Sequence, residues 1–260
     1  MQPCRPLALR LFVAALVAIF ALGLTNGPVA EATASVPKLT WFGQSCFLME
    51  TAQGTRVLMD PTPAVSGSPV ADAIGADLVT ISHEHADHNS LKLAGGTPKV
   101  LRGLTADKKG WMKINERFRD LSIRTIGVYH DEELGRQRGL NSIFVFEVAG
   151  LRVAHLGDLG HTLSDQQLSD LGQVDVVLVP VGGTFTIDAE RAARVVDQIR
   201  PRLIVVPMHY RTDAASSKDL EAVDAFLQGR PHVRRIEGNT FLLSALKKRP
   251  GAEVVVLTFK

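Results

Sequence analysis

The chain has 260 residues, 45% of them hydrophobic, 22% charged and 6% aromatic, which excludes a disordered, collagen-like or low-complexity polymer. Lys and Arg total 29 against 27 Asp and Glu, so a formal charge of +2 leaves no electrostatic footprint for nucleic acid. Two cysteines cannot staple a small disulfide scaffold.

The chain opens with Arg5 and Arg10 ahead of an unbroken apolar run, residues 11–24, followed by small residues at Ala30, Ala32 and Ala34. A positive start, a short apolar stretch and A-x-A sites predict a cleaved secretory signal peptide over residues 1–34. Fourteen apolar residues fall short of a bilayer span, which takes ~20. Export to the periplasm or the medium is therefore expected, with an N-terminal membrane anchor as the alternative. Residues 35–260 then form a single domain, without stable membrane insertion. Removal of Cys4 with the leader leaves Cys46, which sits in Cys46-Phe47-Leu48-Met49 and reads as a small buried hydrophobe.

Strands are predicted at Leu39–Phe42, Cys46–Met49 and Arg56–Met59, punctuated by Gly43 and Gly54 as an antiparallel meander. Leu78–Ser82, almost wholly apolar or β-branched, predicts a strand buried on both faces. Residues 104–120, more charged and carrying Trp111, read as a helical or irregular surface insertion, with Lys108-Lys109 a solvated basic pair. Strands resume at Leu121–Val128, Ile143–Val148 and Leu151–Leu156, the last two joined tightly through Ala149-Gly150. After a buried strand at Val174–Val181, Asp188 caps a helix whose Ala192, Val195, Val196 and Ile199 share one face. Beyond Pro201 come a strand at Leu203–Val206 and a second amphipathic helix from Ser217 to Gly229. Late strands fall at Val233–Ile236, Phe241–Leu243 and Val254–Phe259. Mixed strands with amphipathic helices give an α/β fold of sheets covered by helices.

Directly after the fourth strand comes His83-Glu84-His85-Ala86-Asp87-His88. Extended backbone there places His83, His85 and Asp87 on one side, so the two imidazoles can grip one ion. A turn at Asp87-His88 lets that pair address a second ion beside the first. Chance assembly of three histidines and an aspartate at these positions is a matter of a few parts in ten thousand, by residue frequency.

The stretch resembles the signature of the metallo-β-lactamase superfamily, H-x-H-x-D-H after a buried strand. Met59-Asp60-Pro61, Tyr129-His130-Asp131, His155-Leu156-Gly157-Asp158 and Pro207-Met208-His209-Tyr210 match further family positions, covering the chain from about Leu39 onward. Gly139-Leu140-Asn141 and Gly157-Asp158-Leu159-Gly160-His161 are most similar to the small single-domain hydrolases of the ascorbate-phosphate-lactonase-like branch. The resemblance implies a four-layer αββα sandwich of two mixed sheets. It implies two divalent metal ions, zinc first and manganese or iron compatible with the same shell. His83, His85 and His130 would hold one ion, Asp87, His88 and His209 the other, and Asp158 would bridge. Apart from the resemblance, Asp60 reads either as an acceptor that orients the histidine loop or as a turn residue before Pro61, and His155 as a packed core histidine.

A metal-bridging hydroxide attacking an ester, lactone, amide or phosphoester of a small molecule is the implied chemistry. Asp87 would orient it or pass on a proton, and His161 would hydrogen-bond or protonate the leaving group. The alternatives are an iron oxidoreductase of the same fold, sulfur dioxygenase-like, and a phosphodiesterase acting on a lipid or nucleotide. Neither charge nor insertions suggest a nucleic-acid partner. Oligomeric state is not encoded in any readable motif.

Overall fold

The buried runs of the N-terminal half divide their side chains between two cores, as period-two geometry requires. β1 (Lys38–Trp41), β2 (Phe47–Glu50) and β3 (Arg56–Met59) form an antiparallel meander with Trp41 opposite Phe47 and Met49 opposite Val57. The two-residue β4 (Ile74–Gly75) precedes β5 (Leu78–Ile81), which runs parallel to β3. A 3-10 turn, Leu91–Leu93, leads to β6 (Ala94–Gly95), the partner of β4, and to β7 (Lys99–Arg102), parallel to β5. Leu39, Trp41, Phe47, Met49, Val57, Met59 and Leu78 point into the main core. Their neighbours Leu48, Leu58, Val79 and Ile81 point the other way, into a satellite core with Cys46, Ile74 and Leu93. Burying each such side chain stabilises the fold by about 1.5–3 kcal/mol.

The computed structural model describes residues 1, 36–63, 73–212, 218–243 and 250–258. The expected leader lies outside the described residues, Met1 apart, as do Ser217 and Phe259. Contacts separate Met1–Thr33 from Ala34–Lys260, and every element named here belongs to the latter unit.

The second sheet begins with β8 (Asn115–Phe118), β9 (Leu121–Tyr129), β10 (Leu140–Val148) and β11 (Leu151–His155), all antiparallel. The expected hairpin joins the last two, with positive φ at Ala149 (49°) and Gly150 (76°), matching the right-handed twist of a two-residue turn. Then α1 (Asp165–Leu171), β12 (Val176–Pro180), α2 (Ala189–Ile199) and β13 (Ile204–Met208) alternate, with β11, β12 and β13 parallel. A short α3 (Asp224–Leu227), β14 (Val233–Ile236), β15 (Thr240–Leu242) and β16 (Glu253–Leu257) close the chain.

The two large sheets have strand orders β15-β1-β2-β3-β5-β7 and β14-β16-β13-β12-β11-β10-β9-β8. Phe144, Phe146 and Val153 of the second sheet join Phe47 and Met49 of the first in one core. On α2, Asp188 caps the N-terminus through Arg191 N–H, and Ala192, Val195, Val196 and Ile199 are buried as expected. The fold is thus the mixed α/β sandwich read from the sequence, with few helices. Over the outer face of the first sheet the described residues supply only the 3-10 turn and the β4–β6 ladder.

Two segments differ from the expectation. Residues 104–120 are not helical: Leu104 bridges Trp111, and Asn115–Phe118 pairs as β8. Trp111 explains why, since its indole N–H is shared between the carbonyls of Val128 (3.0 Å) and Asn141 (2.9 Å), which binds the segment to the sheet. In the region of the second expected helix only Asp224–Leu227 is helical. Upstream, Glu221 N–H bonds Gly182 O and Arg211 N–H bonds Glu221 O, so tertiary partners have taken the backbone groups a helix needs.

Candidate metal centre

The C-terminal ends of β5, β9, β11 and β13 carry His83, His130, Asp158 and His209 on the loops that follow them. Strand ends of one polarity gather ligands because the loops there are free of ladder constraints, while the sheet beneath is rigid. The centre of the arrangement is one oxygen. Asp158 Oδ2 lies 3.1 Å from His88 Nε2, 3.3 Å from His130 Nε2, 3.3 Å from His209 Nε2 and 4.0 Å from His83 Nε2.

Two groups of donors flank that oxygen. Ligand atoms of His83, His85 and His130 lie within 4.8 Å of one another, and so do those of Asp87, His88 and His209. The structure therefore brings together all seven residues that the sequence nominated as metal ligands. The backbone does not stay extended as far as Asp87, because the turn expected at Asp87-His88 begins one residue earlier. It turns over residues 86–88, closed by His88 N–H to His85 O at 3.1 Å. His83 and His85 still meet, with ring centroids 4.6 Å apart.

Surrounding groups fix which nitrogen of each ring faces inward. Ser82 Oγ donates to Asp60 Oδ2 (2.5 Å), so it is left to accept from His83 Nδ1 (3.0 Å). His83 Nε2 is thereby turned, unprotonated, into the centre. Asp60 Oδ2 likewise accepts from His88 Nδ1 at 3.0 Å, while its Oδ1 takes Ser82 N–H at 2.7 Å. Carboxylate-to-histidine contacts of this type orient a ligand ring and raise its basicity. Of the two roles expected for Asp60, these contacts fit that of orienting the histidine loop.

Asp158 is aimed from its other side. Ser45 Oγ donates to Asp158 Oδ1 at 3.2 Å, and Asp158 N–H reaches Asn141 Oδ1 at 3.3 Å. The loop bearing Ser45 is tied down by His155 Nε2, which donates to Ser45 O at 2.8 Å, and by His209 N–H to Gln44 O at 3.1 Å. His155 is buried, as expected, but it also fastens this loop. Ser45 and Asn141 were not singled out from sequence as site residues. Asn141 does fall in the Gly139-Leu140-Asn141 stretch that carries part of the family resemblance, whereas nothing local marks Ser45.

Asp60 (φ 42°) and His209 (φ 51°) adopt the left-handed conformation that non-glycine residues seldom occupy. Such strain clusters at sites whose geometry is over-determined by their surroundings. Gly160 and Gly182 are needed for a different reason: a Cβ at either would strike backbone, of His130 and Asp131 in one case and His209 in the other.

Charge follows from burial and neighbours. Burial, reinforced by His88, lowers the pKa of His83 well below the ordinary histidine value, and burial with His130 lowers that of His85. For Asp158, burial favours the neutral acid, yet His209 and His88 outweigh it and hold the carboxyl well below its usual range. For His88, burial opposes the charge, but Asp158 and Asp60 raise its pKa well above normal. A charged Asp158 beside neutral His83 and His85 suits a divalent ion, whose binding would displace the proton that Asp158 and Asp60 favour on His88. The buried Nε2 atoms of His83, His88, His130 and His209 have no hydrogen-bond partner. Orphaned buried nitrogens are costly, and inward-facing lone pairs around one carboxylate fit divalent ions.

His161 has other commitments. Its Nε2 accepts from Tyr129 N–H at 3.0 Å, so the proton sits on Nδ1, 2.6 Å from Thr162 O. Both ring nitrogens are spent on backbone, with none left for a substrate.

Residues 38–209 match the model of the Beta-lactamase superfamily domain. The chain is 37% identical over 210 residues to a UPF0173 protein of Pyrococcus furiosus, covering 74% of this chain and 91% of that one. It is 31% identical over 233 residues to a UPF0173 metal-dependent hydrolase of Anaeromyxobacter, covering 77% and 84%. Among solved structures, a Thermotoga maritima chain described as a Zn-dependent hydrolase of the metallo-beta-lactamase superfamily superposes with TM-score 0.66 at 33% identity, covering 85% of this chain and 98% of that one. The chain belongs to the UPF0173 metal-dependent hydrolases of the metallo-β-lactamase superfamily.

Proposed function

We propose that the protein is a dinuclear hydrolase of small molecules, cleaving an ester, lactone, amide or phosphoester bond. The observation that carries this reading is Asp158 Oδ2 between two trios of donors, with buried imidazole nitrogens facing it unpartnered. Divalent ions held there, zinc first, would polarise the scissile group and make water nucleophilic near neutral pH. His83, His85 and His130 would hold one ion, Asp87, His88 and His209 the other, and Asp158 would serve both.

The chain's own residues divide the remaining work. Asp87, half-exposed with Oδ2 3.6 Å from His88 Nε2, is the carboxylate best placed to orient the attacking water or relay its proton. Asp60, Ser82 and Ser45 keep the donors aimed before substrate arrives, which lowers the cost of organising them in the transition state. In place of direct catalysis, His161 acts as a positioning residue: it holds the end of β9, next to His130, through Tyr129 N–H. The leader of residues 1–34 would export the enzyme to the periplasm or medium.

Elemental analysis of the purified protein tests the reading, together with hydrolysis of 4-nitrophenyl esters and bis-4-nitrophenyl phosphate. Up to two ions per chain and chelator-sensitive turnover are expected, with Asp158→Ala and His88→Ala each losing metal. Protein that is folded yet takes up no metal would end the proposal, and wild-type stoichiometry in both variants would overturn the ligand assignment.

A further inference from the structure

Beside the metal centre lies a cavity of about 190 Å³ lined by His83, His85, Leu104, Leu140, Lys108 and Arg138. Glu84 also borders it, but both its oxygens lie 2.7 Å from Arg102 Nη1, so its charge is already matched. Lys108 and Arg138 have no ion-pair partner among the described residues. Two uncompensated cations thus share a pocket with two imidazoles nominated as ligands. From this we infer that the pocket recognises an anionic group, carboxylate or phosphate, on the substrate whose scissile bond lies against His83 and His85. The inference rests on the hydrolase reading and adds the substrate's class to it.

The surroundings fix the Arg138 guanidinium and the backbone turn that carries Lys108. Asp131 accepts four backbone N–H groups, from Glu133, Gly135, Gln137 and Arg138, the last at 2.7 Å, and so winds the 131–138 loop into one shape. Arg138 Nη2 donates to Thr184 O at 2.7 Å and the guanidinium stacks 5.7 Å from the Phe185 ring. Its Nε and Nη1 make no hydrogen bond with the described residues, leaving one edge of the planar fork for an oxyanion. The acids nearest that loop are occupied, Glu132 with Arg191 and Glu133 with Arg136.

Lys108 sits at the tip of a turn between Leu104 and Trp111, closed by Lys108 N–H to Thr105 O at 2.8 Å and Thr105 N–H to Gly110 O at 2.8 Å. Asp107, the one acid in that turn, is taken by Thr105 Oγ and Lys109 N–H. Lys108 has φ 61°, a strained value for a residue that a solvated turn could equally supply as glycine. Trp111 roots the turn in the second sheet through its two carbonyl contacts. The size of the cavity sets a further limit: pockets for drug-sized ligands run to about 300–1,000 Å³, so the fit is to a small carboxylate or phosphate-bearing molecule.

Calorimetric binding to the zinc-loaded protein tests this without requiring turnover. The probes are succinate, inorganic phosphate and neutral succinamide, and the variants are Lys108→Met, Arg138→Gln and the pair. The wild type should bind at least one anion at least about tenfold tighter than succinamide, the scale of one charged hydrogen bond. Each single variant should lose most of that preference, and the pair all of it, at unchanged zinc content. The preferred anion decides between carboxylate and phosphate. Equal affinity of the wild type for succinate, phosphate and succinamide would overturn the inference, and so would a preference undiminished in the double variant. Failure of the hydrolase reading is a separate result, seen as absent turnover or metal whatever the anions do.

Discussion

Asp60 stands behind His88, its Oδ2 3.0 Å from His88 Nδ1, while His88 Nε2 faces Asp158 at 3.1 Å. The ring is clamped between two carboxylates, Asp60 supporting it and Asp158 also facing His130 and His209. Asp60→Asn keeps a residue that tolerates left-handed φ but removes the charge and one acceptor. Metal affinity should fall by about 10–100-fold, the usual effect of losing such a partner. Competition with a chromogenic chelator measures it. Affinity equal to the wild type would mean that His88 orients itself.

Gly160→Ala should cost more than a surface substitution of that kind. The new Cβ would collide with the carbonyl of His130 and the nitrogen of Asp131, and backbone cannot rotate away as a side chain can. Overpacking of this sort costs about 1–3 kcal/mol, or roughly 3–10 °C in melting temperature. If His83, His85 and His130 hold an ion as proposed, its affinity should fall with it. Calorimetry and metal analysis of the variant would show both, and wild-type values for the two would remove Gly160 from the site's framework.

His161→Ala leaves Tyr129 N–H without its acceptor, which costs about 1 kcal/mol or more. The expected result is a lower melting temperature and weaker metal retention, with turnover falling in proportion to metal lost. His161→Gln, which offers an amide oxygen to the same N–H, should recover part of the stability. A variant with full metal and stability but a tenfold lower kcat/KM would return His161 to direct catalysis.

Cys46 is wholly buried, and burial pushes its thiol up to about 12. The thiolate is the reactive form, so Cys46 should resist a disulfide reagent at pH 8 in the folded state and react fully in denaturant. Labelling of a Cys4→Ser chain isolates it. Rapid labelling of the native protein would mean that the satellite core opens readily.

Export predicts a mature form beginning near Thr33 or Ser35, visible by N-terminal sequencing of protein from cells expressing the full chain. Intact Met1 on membrane-bound protein would favour the anchor instead, and intact Met1 on soluble protein of the cytosol would overturn both.

Much of this was readable along the chain because the responsible residues are neighbours. Four of the proposed ligands sit within His83–His88, and the apolar run Phe47, Leu48 and Met49 already implies two buried faces. Long-range dependences were opaque. Ser45 and Asp158 are 113 residues apart, and nothing local marks the serine as a donor. Residues 104–120 looked like an insertion because their alternation is weak and their anchoring depends on Trp111 meeting carbonyls of two other strands. The α1 helix carries a local signal that hydrophobic periodicity does not reveal: Ser164 and Gln167 spell a capping box, and both reciprocal bonds are made. Residues 131–138, which carry Arg138, offer no period at all.

The first sheet's two apolar faces have a consequence for how the site is assembled. In a sheet wet on one side, a strand that slips by one residue exposes its core side chains, and water corrects the error. A slipped β3 would exchange Leu58 for Val57 and Met59 and still bury apolar groups on both sides. Polarity therefore proofreads this strand poorly, and the alignment must come from the bend before it. There Thr51 N–H bonds Thr55 O at 2.9 Å, Gly54 N–H bonds Thr51 O at 3.0 Å, and Gly54 takes φ 87°. That bend sets where β3 ends, and β3 ends at Asp60. The support that Asp60 gives to His88 thus depends on the counting accuracy of one small hairpin, and a residue inserted at Gln53 that shifted β3 would misplace the carboxylate while leaving apolar side chains on both faces.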